Sequence, residues 1–352
     1  MKTVFLVNRS KCSNLGDQAI NESFKRFIKS HFDVKIFEYD YTSKEKSAKP
    51  LRLEYSKNVQ TVKLALKKVL PLDLIWAIRN ILRIYKSLRN LKPDLVIIGG
   101  GQLLLPGRFS VAAFLWVYLA KKLNIKVIFS NIGIGDQFQW RYLKLISYAI
   151  RNCDGLNVRD EKSAVYIKKF VPDCVDVTVS ADIVFTDAYE TNYSSSREPK
   201  NSLLLLGVTD LSVYNEYNRP VSRQEYHDIW ISFVENLNFR LCDALLIYTT
   251  SEDYSESLKF RDYVKHKMGI SIDVAEYDRL EEFKHLLRQG AIVVSGRMHA
   301  LILALNCGCL IHVFPISQKL ITFIAQTKKS GHSHHIQNSY EKTKRFLSMY
   351  LG

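Results

Sequence analysis

Short apolar runs rich in β-branched residues alternate along the chain with segments in which apolar residues recur at helical spacing. In the first half, the runs predict buried strands at residues 4–7, 34–39, 95–98, 126–130 and 155–158. The segments between them predict helices near residues 17–30, 110–123, 139–151 and 161–170. In the second half, further strand-like runs follow at residues 203–208, 244–249, 271–274, 291–296 and 310–314. This alternation is typical of parallel sheets joined by crossover helices.

A polar stretch near the middle of the chain divides this pattern into two parts. Residues 189–201 contain few apolar side chains, which indicates a linker. We therefore predict an α/β fold with two Rossmann-like βα domains facing a cleft, residues 1–190 and residues 201–330, followed by a C-terminal tail at 331–352. In such sheets, ligands bind beyond the carboxyl ends of the strands.

The charge balance narrows the choice of partners. The 352 residues include 50 Lys and Arg against 35 Asp and Glu, a formal net charge of +15. Such a chain is attracted to phosphates, acidic glycans or an anionic membrane surface. The sequence contains no recognition-helix, RNA-recognition or zinc-finger pattern, so we expect no nucleic-acid partner.

The cysteines and the apolar stretches favour a soluble protein in a reducing compartment. The six cysteines form no CxxC pair and show no disulfide-dense spacing. The apolar start of the chain is too short for a secretory signal, and no stretch approaches the roughly 18 uninterrupted apolar residues of a membrane span. We expect a cytoplasmic protein that can also touch the inner face of the membrane.

A basic helical insert at residues 57–92 interrupts the first domain. It carries nine Lys or Arg and a single acid, Asp73, and Pro71 is expected to split it into two helices. In the second helix, one face carries Arg79, Arg83 and Lys86, and the other carries Ile81, Ile84, Leu88 and Leu91. Either this is a core-facing helix with a solvated basic side, or it binds an anionic membrane surface or a lipid-linked substrate.

Glycine-rich turns follow two of the predicted strands. Asn14, Gly16 and Asp17 lie between the first strand and the first helix, where Asp17 can cap the helix and its free N–H groups can bind an anion. A plain capped turn is the alternative. Gly99, Gly100 and Gly101 follow the third strand directly, and three consecutive glycines favour a ligand-facing loop over a structural turn.

Candidate binding residues also follow the next two predicted strands. Gly133 and Gly135 follow the strand at 126–130, and Arg159 with Asp160 follows the strand at 155–158. For the second pair, an N-cap aspartate beside a surface arginine is nearly as good an interpretation as a binding site.

Arg297 and His299 form the best single candidate site. They lie between the buried strand at 291–296 and an apolar helix that ends at Gly308, so we expect both on the first turn of that helix. That position combines a fixed cation, a titratable imidazole and the N–H groups of the helix terminus. Taken alone, His299 could be a structural histidine. The histidines of the tail at 332–335 are a weaker signal, and without a HExxH or Cys/His cluster we expect no metal.

Six motifs in a fixed order resemble the polysaccharide pyruvyl transferase family. From Asn14 to Lys319 they read NLGDQAI, DLVIIGGGQLL, IGIGD, NVRDEKS, SADIVF and SGRMHALILAL. The chain departs from the family pattern at three positions, Ser13, Asp136 and Cys309. The resemblance implies a GT-B-like architecture and transfer of pyruvate from phosphoenolpyruvate to sugar hydroxyls of a cell-surface polysaccharide or its precursor, forming a cyclic ketal.

The resemblance also implies roles for individual residues. Arg297 would hold the anionic groups of the donor, and His299 would act as acid/base or phosphate partner. Asp17 could orient an acceptor hydroxyl, and Lys319 could add a cation. The remaining candidates named above would position ligands, and phosphoenolpyruvate would serve as donor substrate with no other cofactor. The acceptor would be a glycan or a lipid-linked sugar.

Two other functions remain open at this point. A GT-B-type glycosyltransferase would share the fold and bind a nucleotide sugar at the same basic helix terminus. A non-catalytic glycan- or membrane-binding factor would keep the fold without turnover. Binding of a nucleotide, or of phosphoenolpyruvate, distinguishes the two enzymes.

Overall fold

A computed structural model describes residues 1–42, 72–135, 137–174, 176–190, 203–317, 320–323, 327 and 331–352. Most of the predicted linker, the first part of the basic insert with Pro71, and the candidate residues Asp136 and Lys319 lie outside the described residues.

The first half contains a six-stranded parallel sheet in the order β2-β1-β3-β4-β5-β6. Its strands are β1 (Lys2–Asn8), β2 (Val34–Asp40), β3 (Leu95–Leu104), β4 (Lys126–Ile134), β5 (Gly155–Val158) and β6 (Val177–Val179). Its helices are α1 (Leu15–His31), α2 (Leu72–Leu91), α3 (Arg108–Lys122), α4 (Trp140–Asn152), α5 (Glu161–Phe170) and, after a 3-10 turn at Ile183–Phe185, α6 (Thr186–Glu190). The strand order reverses between β1 and β3, a position at which α/β sheets bind ligands.

The second half contains a five-stranded parallel sheet in the order β11-β10-β7-β8-β9. Its strands are β7 (Leu204–Gly207), β8 (Ala244–Leu246), β9 (Asp273–Val274), β10 (Ile292–Ser295) and β11 (Leu310–Val313). Its helices are α7 (Leu211–Tyr217), α8 (Arg223–Asn236), α9 (Ser251–Met268), α10 (Leu280–Gln289) and α11 (Met298–Asn306). Here the order reverses between β7 and β10, so the residues that follow β10 lie at the ligand-binding edge.

The end of the chain differs from the expected tail. Residues His332–Leu351 form a twenty-residue helix, α12, that packs on the first half of the molecule. The Asn131 amide donates to the Thr343 hydroxyl (2.9 Å), and the Tyr350 hydroxyl donates to the Asp154 carbonyl (2.7 Å). The chain thus returns to the first half after completing the second.

An apolar cluster joins the two halves. It includes Phe24 and Phe27 of α1, Val293 of β10 and Leu301 of α11, all fully buried. Two further clusters fill the outer face of the first sheet and the remainder of the second half. The starts of α1 and α11 lie against one another, since a Cβ on Gly16 would be 2.8 Å from the His299 Cβ. None of the described helices is long and apolar enough to cross a bilayer.

Candidate active site

Arg297 and His299 occupy the start of α11, at the point where the strand order of the second sheet reverses. Arg297 is the N-cap residue, and its backbone N–H donates to the Ser295 hydroxyl (3.1 Å). His299 is the second residue of the helix. The placement of both residues on the first turn, predicted from the sequence, is what the structure shows.

The charge of Arg297 is already balanced by a carboxylate. Its Nε and Nη2 donate to the two oxygens of Asp253 at 2.9 and 2.6 Å, and the Asp253 side chain on the first turn of α9 is 2% exposed. Burial lowers the pKa of Arg297, but the Asp253 carboxylate outweighs it, so the net pKa is raised. Of the three guanidinium nitrogens of Arg297, only Nη1 is left outside this bidentate pair.

His299 belongs to a second ionic group that crosses between the two halves. Its Nε2 lies 3.4 Å from Oδ2 of Asp182, and the same oxygen accepts from Nη1 of Arg159 at 3.0 Å. The Asp182 and Arg159 side chains are each 4% exposed. We call these three residues the Asp182 triad. It joins a strand end of the first half to the helix terminus of the second.

The Asp182 carboxylate is held in its charged form. Burial alone raises its pKa, but the neighbouring His299 and Arg159 and the Val184 backbone N–H outweigh burial and hold the pKa well below its usual range. The Ser339 hydroxyl of α12 donates to the Asp182 carbonyl (2.8 Å), so the returning helix also fixes this residue. The His299 Nε2 is buried and makes no hydrogen bond of good geometry. A charged carboxylate beside such a nitrogen can stabilise an imidazolium.

Two of the candidate glycines make room for the triad. A Cβ on Gly16 would lie 2.8 Å from the His299 Cβ, and a Cβ on Gly133 would lie 2.9 Å from Nε of Arg159. Both glycines thus lie at the site, where they allow side chains of the triad to approach the backbone closely.

The turn before α1 differs from the predicted arrangement. Asn14, not Asp17, caps the helix, since its side chain accepts from the Gly16 backbone N–H (2.8 Å). Asp17 pairs instead with Arg9, whose Nη1 lies 3.2 Å from its Oδ2. The Leu15 backbone N–H donates to the Thr249 carbonyl (2.9 Å), which holds the turn against the second half.

The predicted glycine loop is part of a strand. Gly99, Gly100 and Gly101 lie inside β3, and Gly99 and Gly101 pair with β4. The prediction of a ligand-facing loop is wrong for these residues, because a Cβ on Gly100 would lie 2.0 Å from Ile20 of α1. At φ angles of +77° and +73°, Gly100 and Gly101 let α1 pack closely on the strand. Gly135 follows β4 and donates to the Leu104 carbonyl (2.8 Å).

A pocket of about 410 Å³ opens beside the Asp182 triad. Arg159, Lys162 and Asp182 contribute from the strand ends of the first half, and Met298 contributes from the start of α11. The returning helix α12 forms another wall of the pocket, lined by His334, His335, Asn338 and Lys342. Residues 334, 338 and 342 are four positions apart and therefore lie on one face of the helix. By contrast, the hollow beside Arg297 holds no water-sized volume.

Sequence reasoning missed two residues of the site and gave a third no role. Arg9 follows β1, and Asp253 lies on the first turn of α9; a position after the carboxyl end of a strand was the signal available for both. Asp182 lies after β6 in the SADIVF motif, which was the signal for it. No metal-binding group of three or more His, Cys, Asp or Glu occurs among the residues that the structure describes, and the tail histidines begin α12.

Comparisons with known proteins agree with this architecture. Among solved structures, the chain is similar to UDP-GlcNAc 2-epimerase from Methanocaldococcus jannaschii (TM-score 0.56, 11% identity, 99% of this chain and 98% of that chain). It is also similar to the MnaA–UDP complex of S. aureus (TM-score 0.53, 9% identity, 99% of this chain and 95% of that chain). A third similar structure is the Neisseria meningitidis UDP-GlcNAc 2-epimerase bound to UDP-GlcNAc (TM-score 0.52, 11% identity, 100% of this chain and 99% of that chain). At these identities the likeness shows the fold alone, and it confirms the predicted GT-B-like α/β fold.

The sequence itself identifies the family. A search of curated proteins finds no significant match. The family model for polysaccharide pyruvyl transferase matches residues 14–312, which is most of the chain and includes the start of α1, the Asp182 triad and Arg297. The chain therefore belongs to the polysaccharide pyruvyl transferase family and is a transferase.

Proposed function

We propose that this enzyme transfers pyruvate from phosphoenolpyruvate to two hydroxyls of one sugar, in a cell-surface polysaccharide or its precursor, and forms a cyclic ketal. The observation that carries the proposal is the Asp182 triad beside a 410 Å³ pocket: Arg159 and Asp182 line the pocket, as does Met298, and His299 follows Met298 and contacts Asp182. It places an imidazole, a buried carboxylate and an arginine together at an edge where parallel sheets bind ligands.

The pocket supplies cations for the phosphate and carboxylate of the donor. Arg159 lies in its wall, and Lys162 of α5 and Lys342 of α12 lie on either side. Two of the acids beside them are already engaged, since Asp182 is paired with Arg159 and Asp160 caps α5 by accepting from a backbone N–H. Guanidinium and ammonium groups bind such oxyanions through charge-assisted hydrogen bonds.

Arg297 has a smaller part in donor binding. Asp253 occupies two of its nitrogens, so only Nη1 and the N–H groups at the start of α11 remain for an anion. Lys319 remains a proposed additional cation outside the described residues. Gly16 and Gly133 position the triad, Asn14 and Gly135 fix the turns around it, and Asp17 orients the acceptor through its contact with Arg9.

His299 carries the proton transfers. A sugar hydroxyl oxygen forms a bond to C2 of phosphoenolpyruvate, C3 gains a proton and becomes a methyl group, and His299 mediates the transfer of the hydroxyl proton. The C2–O bond to phosphate then breaks, the second hydroxyl attacks C2, and its proton leaves with the phosphate. Asp182 stabilises His299 whenever the imidazole is charged, since its own low pKa keeps it ionised.

One observation favours the nucleotide-sugar alternative. Arg297 lies where the strand order of the second sheet reverses, and sheets of this topology bind nucleotide phosphates at that position. The similar structures from S. aureus and N. meningitidis contain UDP and UDP-GlcNAc, respectively. A glycosyltransferase would place its donor at Arg297 instead of Arg159.

A thermal-shift titration with phosphoenolpyruvate, beside UDP, GDP and CMP, separates the two functions. At about 100 times its dissociation constant, a ligand that binds only the folded state adds about 2.7 kcal/mol to the free energy of unfolding. We expect a shift with phosphoenolpyruvate that is lost in Arg159→Met. It should persist in Arg151→Met, which removes an exposed arginine paired with Asp173. A shift with a nucleotide and none with phosphoenolpyruvate would establish the glycosyltransferase alternative.

The proposed setting is the cytoplasm. The six cysteines are all free, including the buried Cys153, Cys307 and Cys309, which supports a reducing compartment. The acceptor is a glycan or a lipid-linked sugar, and no metal or cofactor has a part in the proposed reaction.

A further inference from the structure

The outer surface of α2 exposes an unusual amount of apolar side chain. Leu74 is 48% exposed, Ile78 and Leu82 are each 63% exposed, and Ile81 is 37% exposed. Leu74, Ile78 and Leu82 recur every fourth residue, so they form a stripe along one helical face. The opposite face is fully buried at Ile84 and Leu88. Ile81 and Leu91, which the sequence placed on the core face, are exposed instead.

Basic side chains flank the stripe. Arg79, Lys86 and Arg89 are exposed on the same helix, and Asp73 is its single acid. That acid is engaged, because its carboxylate accepts from the Tyr142 hydroxyl of α4. The outward side of α2 therefore presents leucine and isoleucine among cations.

A tryptophan extends the surface onto the neighbouring helix. Trp140, the first residue of α4, is 71% exposed, and Lys144 Nζ lies 4.6 Å from the centre of its ring. The Asp73–Tyr142 hydrogen bond joins the first turn of α2, which carries Leu74, to the first turn of α4, which carries Trp140. We call this surface the α2 face; it comprises Leu74, Ile78, Ile81, Leu82, Arg79, Lys86, Arg89, Trp140 and Lys144.

We propose that the α2 face binds the surface of an anionic lipid bilayer. The stripe and Trp140 enter the boundary between headgroups and acyl chains, and the Lys and Arg side chains contact lipid phosphates. Tryptophan is the aromatic side chain best suited to this boundary, since it has an apolar ring and one N–H donor. The proposal concerns a surface away from the Asp182 triad and does not depend on the reaction.

Charge decides between a membrane and a second copy of the chain. Two α2 faces packed on one another would bring their Arg and Lys side chains together, and like charges across an interface oppose association. An anionic bilayer complements the same charges. Trp140 lies at the start of α4, which follows the carboxyl end of β4, so this part of the α2 face lies toward the carboxyl edge of the first sheet.

Cosedimentation of the full chain with vesicles tests the proposal. We expect binding to phosphatidylcholine vesicles with roughly 30% phosphatidylglycerol at about 50 mM NaCl, and its loss at about 500 mM NaCl. Arg79→Gln with Lys86→Gln should weaken binding about 25-fold, at about fivefold for each cation. Ile78→Ser with Leu82→Ser should weaken it at least about tenfold at low salt.

Two exposed residues of α5 provide the matched control. Val165 is 68% exposed and Lys168 is exposed on the same helix, and neither residue belongs to the α2 face. Val165→Ser with Lys168→Gln should leave vesicle binding unchanged. Equal losses in this control and in the α2 variants would overturn the proposal, as would an absence of binding at low salt.

Tryptophan fluorescence gives a readout specific to the α2 face. Anionic vesicles should shift the emission to shorter wavelength in the wild type, and the shift should disappear in Trp140→Phe. Light scattering without vesicles completes the test. If the wild type is a dimer that dissociates in Ile78→Ser with Leu82→Ser, and vesicles leave the Trp140 emission unshifted, the α2 face binds a second copy of the chain instead.

Discussion

The two arginines that follow β5 and β10 both lie beyond the carboxyl ends of parallel strands, and their surroundings differ. Arg297 is held by a bidentate pair within its own half, and the hollow beside it has no room for a water molecule. Arg159 shares Asp182 with His299 of the other half and lines a pocket of about 410 Å³. The same residue type at the same edge of a parallel sheet can therefore be closed off in an ion pair or line an open pocket, depending on its partner.

The largest expected effect is that of Asp182→Asn. The asparagine side chain can still accept from the Val184 backbone N–H and cap the 3-10 turn, but it is neutral and cannot balance the charges of Arg159 and His299. Turnover of phosphoenolpyruvate should fall about 10²–10⁴-fold. The free energy of unfolding should fall by about 3–5 kcal/mol, because Arg159 is left buried without its partner. Phosphate release with an acceptor that supports wild-type turnover, and urea unfolding, measure the two effects.

Asp173→Asn is the matched control for that change. Asp173 pairs with Arg151 on the surface, where the two side chains are 67% and 45% exposed. Solvent screens such a pair, so neither turnover nor stability should change appreciably. Wild-type turnover in Asp182→Asn would show that the triad is only structural.

Arg297→Met tests the other side of the comparison. It leaves Asp253 buried without its cation, so we expect a loss of about 3–5 kcal/mol in the free energy of unfolding. Asp253→Leu in the same chain should recover most of it, since an apolar pair can replace a buried ion pair. The affinity for phosphoenolpyruvate should fall at least about tenfold in Arg159→Met and less in Arg297→Met. Calorimetric titration that gives the reverse order would place the donor at Arg297.

The pH dependence of stability should also single out Asp182. Its pKa is lowered in the folded state, so the stabilisation it provides is complete above its unfolded pKa of about 4 and is lost only below. The stability difference between the wild type and Asp182→Asn should thus shrink as the pH falls from about pH 5 toward about pH 3, and not above that range. Urea unfolding at several pH values checks this. A difference that already shrinks above about pH 5 would contradict the assignment.

A pair of glycine substitutions gives the smallest expected effects. Gly133→Ala places a methyl group 2.9 Å from Nε of Arg159, and Gly207→Ala places one 2.8 Å from Oγ of Ser295, the residue that accepts from the Arg297 backbone. We expect Gly133→Ala to weaken binding of phosphoenolpyruvate about threefold to tenfold by displacing the guanidinium. Gly207→Ala should leave it unchanged, and an equal loss in both would show that the two sites are coupled.

Local sequence signals predicted most of the secondary structure. The strand predicted at 155–158 and the helix at 161–170 have the same bounds in the structure. The apolar run that predicted α11 also placed Arg297 and His299 correctly on its first turn. Such predictions succeed because helix periodicity, strand periodicity and capping depend on residues within a few positions of one another.

Long-range contacts account for the predictions that differed. Gly99, Gly100 and Gly101 were expected in a loop because their sequence is flexible, yet Ile20 and Phe24 of α1 occupy the space beside them. The C-terminal residues were expected to form a tail because they are polar. They form α12 instead, since one of its faces packs on the first half.

The sequence by itself determined the two βα halves, the family and the residues at the strand ends, because each depends on local pattern and order along the chain. Only the tertiary structure decided which carboxylate each arginine meets, since Asp182 and Asp253 lie far along the chain from His299 and Arg297 and reach them only when the sheets assemble. It also decided which side chains of α2 remain exposed. The charge and accessibility of a site depend on all the elements packed around it, and local pattern specifies only one of them.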